Sequence, residues 1–250
     1  MKLTFLGTGT STGVPEIGCC CEVCTSNDPR DNRLRSSVLL EVDGKNILID
    51  CGPDFRMQML RYGVSRIDAV LITHEHYDHV GGLDDLRPFS FDKDMKIFAE
   101  ANVLEAIQVR MPYVVPSHHC FGLPRLALTP VGLMPFNVEG VSVTPIRVMH
   151  GRLPILGYRI GNIAYLTDVK TIPEEEYEKL SGLDFLIIDA LRKDNRHHTH
   201  AGLDEALLHI ERIRPKQAFL THMSHKIGLH SVIEADLPSN VHFAYDGLQV

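Results

Sequence analysis

His74-Glu75-His76-Tyr77-Asp78-His79 comes just after the apolar run Ala69-Val70-Leu71-Ile72, and its reading decides how the rest of the chain is understood. Three imidazoles and the Asp78 carboxylate within six positions, behind a short apolar run, predict a strand that ends by presenting metal ligands. Strand-like alternation turns His74 and His76 toward one cation. A turn through Tyr77 then swings Asp78 and His79 toward a second, so one loop seeds two neighbouring sites. The chain holds 14 histidines, and a solvated His-rich loop is the bland alternative. The order of His and Asp behind a strand favours the metal reading.

With 250 residues, 44% of them hydrophobic and 23% charged, the chain can bury one substantial core, which predicts a single domain over 1–250. No apolar stretch is long enough to cross a bilayer. Met1-Lys2 leads into Leu3-Thr4-Phe5-Leu6 without the pattern of a secretory signal, so the expected compartment is the cytoplasm. The formal charge of −7 and the lack of Lys/Arg-rich runs argue against a long nucleic acid as partner. A small anionic substrate stays compatible, because bound divalent cations would make the site itself positive. No membrane partner is expected, and a homodimer is compatible with these features.

Four of the six cysteines fall in Cys19-Cys20-Cys21-Glu22-Val23-Cys24. Such crowding suits a metal better than disulfides: Cys19, Cys21 and Cys24 on a turn can bring three thiolates to one zinc near 18–25, with a fourth ligand from elsewhere. Cys51 and Cys120 read as small buried or half-buried residues. Upstream, Gly7-Thr8-Gly9-Thr10-Ser11-Thr12-Gly13 resembles a nucleotide-binding glycine loop only superficially. Thr12 stands where the dinucleotide fingerprint needs its third glycine, and Val14-Pro15 follows instead of a helix, so these glycines read as a tight backbone path near the site.

Two alternating segments from 36 to 51 flank Asp43-Gly44, a hairpin signal, and the second places Asp50 at a strand end. A helix is expected from about 53 to 62 with Pro53 in its first turn, then a strand over 67–72. Further strands are expected near 95–98, 126–130, 141–147, 155–160, 163–167, 184–189, 216–221 and 241–245, and helices over 100–110, 173–180 and 202–212. The proline-dotted stretch 111–124 reads as a long surface loop. Hairpins interleaved with a few helices predict two packed sheets with helices outside. His150, Asp168, Asp189 and His222 each close an apolar strand, where a ligand is held rigidly at the rim of a sheet.

The set His74, His76, Asp78, His79, His150, Asp168 and His222 resembles the metallo-β-lactamase fold, in the phosphodiesterase branch that includes tRNase Z and PhnP-like proteins. That resemblance spans nearly the whole chain and implies an α/β fold, a four-layer αββα sandwich. It implies a dinuclear centre of two divalent ions, Zn or Mn: His74, His76 and His150 on the first, Asp78, His79 and His222 on the second, and Asp168 bridging. It also implies that His225 joins Cys19, Cys21 and Cys24 around one structural zinc, while Cys20 between them leaves open which thiolates are used. His200, 22 positions before His222, resembles the family's histidine that lies over the metals as proton donor or phosphate contact; His197 and His198 beside it read as loop filler. Asp50 is expected to orient a ligand imidazole through its far nitrogen. Asp189 reads as a buried strand-end carboxylate, and His118, His119, His209, His230 and His242 as surface or core residues.

What this implies is hydrolysis of a small, plausibly cyclic, phosphodiester by a metal-bridging hydroxide, between cations roughly 3.5 to 4 Å apart. Asp78, Asp168 and His200 would carry the catalysis. The alternatives are a PqqB-like protein of cofactor biosynthesis and a tRNase Z-like ribonuclease. Retention of every presumed ligand speaks against the first, and the acidic balance against the second.

Overall fold

The computed structural model describes residues 1–114 and 122–250. His118, His119, Cys120 and the middle of the expected 111–124 loop lie outside the described residues. Among the described residues, six strands form the first sheet in the order β1 (Lys2–Gly7), β2 (Ser37–Val42), β3 (Lys45–Ile49), β4 (Ala69–Leu71), β5 (Met95–Ala99) and β6 (Leu126–Pro130). Seven form the second: β7 (Phe136–Val138), β8 (Val141–His150), β9 (Leu153–Ile160), β10 (Ile163–Leu166), β11 (Phe185–Asp189), β12 (Gln217–Thr221) and β13 (Val241–Phe243). Each sheet is antiparallel in its earlier strands and parallel in its later ones.

The helices are α1 (Phe55–Tyr62), α2 (Tyr77–Val80), α3 (Ala101–Arg110), α4 (Leu203–Ile213) and α5 (His230–Asp236). Period-2 alternation sorts the strand side chains into layers. Val38, Leu40, Ile47 and Ile49 face the second sheet and meet Tyr158, Tyr165 and Ile187. Leu39, Leu48 and Val70 face the other way and pack on Phe55 and Met59 of α1 and Val103 and Ile107 of α3. On the far side, Leu186, Ile188 and Leu220 pack against Ala206 and Ile210 of α4 and Ile233 of α5. Three apolar layers between four layers of structure make the expected αββα sandwich, a single domain. Strands buried on both faces explain why the parallel segments read as continuous apolar runs.

Several local expectations need correction. Pro53 precedes α1 rather than opening it, and Asp54 takes the cap position. Residues 173–180 form two 3₁₀ turns, Glu174–Glu176 and Glu178–Leu180, not a helix. Tyr177 between them donates its hydroxyl to His209 Nδ1 on α4 at 2.8 Å, a tertiary contact that local helix propensity does not encode. The glycines of 7–13 press against residues 33–35: a Cβ on Gly9 would stand 2.8 Å from the Arg33 carbonyl oxygen. The loop does back the site, since Thr10 N–H donates to Met223 O and Met223 N–H to Thr8 O. The strand β7, the helix α5 and the 3₁₀ segment Leu83–Ser90 have no counterpart among the expected elements. Among the described residues no helix is long and apolar enough to cross a membrane.

Two contacts clamp the sheets together where the His-rich loop leaves β4. Tyr158 on β9 donates its hydroxyl to the Ile72 carbonyl at 2.7 Å, and Leu156 N–H reaches Thr73 O at 3.2 Å. Tyr158 is fully buried, so removing its hydroxyl leaves a carbonyl without a partner. Tyr158→Phe is expected to cost about 1–2 kcal/mol in urea unfolding. An unchanged midpoint would show that the clamp contributes nothing.

Candidate metal centre

Most residues of the His/Asp cluster sit where a strand stops, and Asp78 and His79 sit in α2 just beyond. Asp50 follows β3, His74 and His76 follow β4, His150 and Asp189 are the last residues of β8 and β11, and Asp168 and His222 follow β10 and β12. Asp50, Asp168 and His222 all have left-handed backbones, with φ of 62°, 55° and 57°. That conformation costs a non-glycine residue roughly 1 kcal/mol but is tolerated best by Asn, Asp and His. It breaks the strand abruptly and turns the side chain across the rim. The loop after His76 closes into the single turn of α2, pinned by Cys51 N–H on His79 O and Gly82 N–H on Cys51 O. A Cβ on Gly52 would collide with the Asp78 carbonyl, so this approach requires glycine.

The side chains converge. Asp78, His79, Asp168 and His222 bring one ligand atom each within 4.8 Å of one another, and so do His74, His76 and Asp168. Asp168 is common to both groups, and its two oxygens face different ways. Oδ1 lies 3.2 Å from His79 Nε2 and 3.2 Å from His222 Nε2, whereas Oδ2 lies 3.8 Å from His74 Nε2. His150 stands beside the second group, its ring 5.2 Å from that of His76 and 5.7 Å from that of His74.

Partners behind the rings fix which nitrogen faces inward. His79 Nδ1 donates to Asp50 Oδ2 at 2.7 Å, and His150 Nδ1 donates to the Thr199 carbonyl at 2.9 Å. Both rings therefore present the Nε2 lone pair to the centre. Asp50 is itself held by the Thr73 N–H and hydroxyl, at 2.9 and 3.0 Å. This donor set fits divalent cations. His79 Nε2 is buried with no hydrogen-bond partner, yet it faces Asp78 Oδ2 and Asp168 Oδ1, both at 3.2 Å. A lone pair against two carboxylates is repulsive unless positive charge lies between them. The same field appears as a proton demand: burial opposes charge on His79, but Asp168, Asp50 and Asp78 together drive its imidazole well above the ordinary range. Burial likewise opposes charge on Asp168, and His222 and His79 still hold it well below the usual carboxylate range.

His200 hangs over this set without belonging to the strand ends. Its ring stacks on His222 at 4.9 Å and meets His150 edge-on at 4.4 Å. Its Nδ1 donates to Asp189 Oδ2 at 2.8 Å, leaving Nε2 toward Asp168 Oδ2 at 3.8 Å. Asp189 is thus more than a strand-end filler. It holds His200, and its other oxygen lies 3.8 Å from His222 Nδ1. Its place at a strand end was the signal available in the sequence; its partner 11 residues on was not. Burial pushes the Asp189 carboxyl well up.

A second cluster lies one short step away. Cys19, Cys21 and Cys24 place their Sγ atoms 3.1, 3.5 and 3.3 Å from His225 Nδ1. Tetrahedral zinc with three thiolates and one imidazole has sulfur–nitrogen edges of about 3.5 Å, so this set also fits a metal. Cys20 is exposed and outside the group, and Cys51 is fully buried. Burial pushes the Cys24 thiol up to about 11, while the Cys24 backbone amide holds Cys21 below the usual thiol range. Residues 222–225 join the two clusters, anchored by Ser224 N–H and hydroxyl on Leu191 O.

Two measurements test these assignments. Asp50→Asn should weaken ion binding at the His/Asp cluster by roughly 10- to 100-fold in competition with a chromophoric chelator. Equal affinity would remove Asp50 from the site. Cys24→Ser should release one equivalent of zinc and leave ions at the His/Asp cluster; retention of the full metal content would refute the cysteine site.

The comparisons place the chain. Residues 45–223 match the family model described as a beta-lactamase superfamily domain. The crystal structure of a diphosphatase from the PhnP family superposes with a TM-score of 0.94 at 40% identity, over 100% of this chain and 96% of that one. Zinc-bound PqqB from Methylobacterium extorquens shares the fold at 20% identity, with a TM-score of 0.78 over 100% of this chain and 99% of that one. An octanoyltransferase of Porphyromonas gingivalis is 48% identical over all of this chain, which spans about half (51%) of that relative's length. With its strand-end His and Asp residues on a two-sheet sandwich, the chain belongs to the metallo-β-lactamase fold of the beta-lactamase superfamily, in its PhnP-like branch.

Proposed function

We propose that this hydrolase-fold protein is a metal-dependent phosphodiesterase acting on small anionic phosphodiesters, cyclic ones included. The observation that carries the reading is Asp168, whose two oxygens turn to two separate imidazole sets. In this reading His74, His76 and His150 hold one divalent ion, Asp78, His79 and His222 the other, and Asp168 touches both. When bound, such ions would supply neutralisation of phosphoryl charge and activation of water for attack at neutral pH.

The chain's own groups supply the remaining steps. Asp50 and the Thr199 carbonyl keep His79 and His150 in the tautomer whose Nε2 lone pair faces inward. With Nδ1 of His200 donating to Asp189, Nε2 is the ring nitrogen turned to the centre; the doubly protonated ring gives its Nε2 proton to the departing alkoxide and is left neutral, a release that burial of the ring favours. The burial of Asp78, Asp168, His200 and His222 strengthens these interactions. The name of the PhnP-family neighbour, a diphosphatase, supports phosphoryl chemistry. An octanoyl ester is the competing substrate class, on the name of a relative about twice as long.

Metal-loaded protein should hydrolyse bis-p-nitrophenyl phosphate, lose that activity to a chelator, and regain it on adding zinc or manganese. Asp168→Asn should lower kcat/KM by at least about 10³-fold, and His200→Ala by roughly 10²- to 10⁴-fold on substrates with poor leaving groups. Turnover of p-nitrophenyl octanoate well above that of the diester would overturn the proposal.

A further inference from the structure

The segment between β11 and α4 carries Arg196-His197-His198-Thr199-His200, and its two unassigned histidines are not equivalent. His198 is exposed. His197 is turned inward, its ring 5.0 Å from that of His200 and tilted by 56°. The Thr199 N–H donates to His197 Nδ1 at 3.4 Å, which fixes the ring from within its own loop. The Thr199 carbonyl in turn accepts from His150 Nδ1. This loop also lies hard against the turn after β8. Gly151, with φ of +63°, would place a Cβ 2.9 Å from the Thr199 methyl group, so strap and turn are fitted without spare room. His200 is therefore bounded on three sides by imidazoles, His222 stacked on it, His150 edge-on and His197 tilted against it, with Asp189 holding its far nitrogen.

We propose that His197 is a positioning residue for His200: residues 197–199 act as a strap that sets the His200 and His150 rings together, and His197 keeps the His200 ring from swinging off the line to the leaving oxygen. The proposal rests on the reading of His200 as proton donor. A ring held at one end by a single hydrogen bond to Asp189 can still rotate about its side-chain bonds, and only packing against its faces removes that freedom. No hydrogen bond joins His197 to His200, so the effect is steric. It asks for a flat ring at 197, not for a titrating one.

The test separates position from mere stability. His197→Ala and His197→Phe would be compared with wild type on bis-p-nitrophenyl phosphate, whose leaving group needs no proton, and on adenosine 2′,3′-cyclic monophosphate, whose leaving group is an alkoxide. His197→Ala should lower kcat on the cyclic substrate about 10-fold and on the nitrophenyl diester less than about 2-fold, with KM unchanged on both. His197→Phe, which keeps the flat ring but loses the Thr199 N–H contact, should restore part of the loss. Independently of turnover, the His200 Nδ1 proton, followed by nitrogen-15 NMR, should exchange with solvent about 10-fold faster in His197→Ala. Equal losses on both substrates, a change in KM alone, or a His200 proton exchanging as in wild type would each overturn the proposal. If wild type cleaves neither diester, the functional reading fails instead, and the proton exchange alone then decides on His197.

Discussion

Buried like charge is the constraint on which the site end of this molecule depends. Asp50, Asp78, Asp168 and Asp189 are all buried at one rim of the sandwich, and His79 and His150 turn lone pairs rather than protons to the centre. Such a cluster is tolerable only with positive charge inside it. Protein atoms cannot supply that charge without protonating the ligands, as the upward pull on His79 shows. The fold thus makes ion binding and the integrity of this rim a single problem. It also explains the careful hydrogen bonding behind the rings, where Thr73, Thr199 and Asp50 hold what mutual repulsion would otherwise push apart.

The two sheets solve this problem in the same way. Asp50 leaves the first sheet in a left-handed conformation, and Asp168 and His222 leave the second so. A strand exit of that kind places a short polar side chain sideways across the sheet edge, where an ordinary extended exit would send it onward into solvent. Local strain is accepted at these positions because the parallel strands behind them, buried on both faces, hold the exits rigidly.

Much of this is legible in the residue order alone. Alternation around Asp43-Gly44 fixes the hairpin, apolar runs ending in His or Asp mark the rim, and the spacing of Cys19, Cys21 and Cys24 points to a thiolate cluster. What stays hidden there depends on closeness across loops or on very short elements. Phe136-Asn137-Val138 is too brief to show a period, and it becomes a strand only because β8 offers a partner. The Glu-rich stretch 174–180 has the composition of a helix, but Tyr177 is taken up by His209 and the segment breaks into turns. Asp189 behind His200, and the inward turn of His197 against the outward turn of His198, are relations among side chains that neither spacing nor composition records.

The outer edge of β1 is not left bare. Leu3 N–H donates to Val250 O, Phe5 N–H donates to Leu248 O, and Thr4 pairs with Gln249. A strand made before the rest of its sheet thus waits for residues 248–250 to cover its unpaired amides and carbonyls. Until then that edge is a template for pairing with other chains. A nascent chain stalled or trimmed before residue 247 therefore carries its aggregation hazard on the first strand, far in sequence from the break, while every residue of the two candidate metal clusters has already been made by His225.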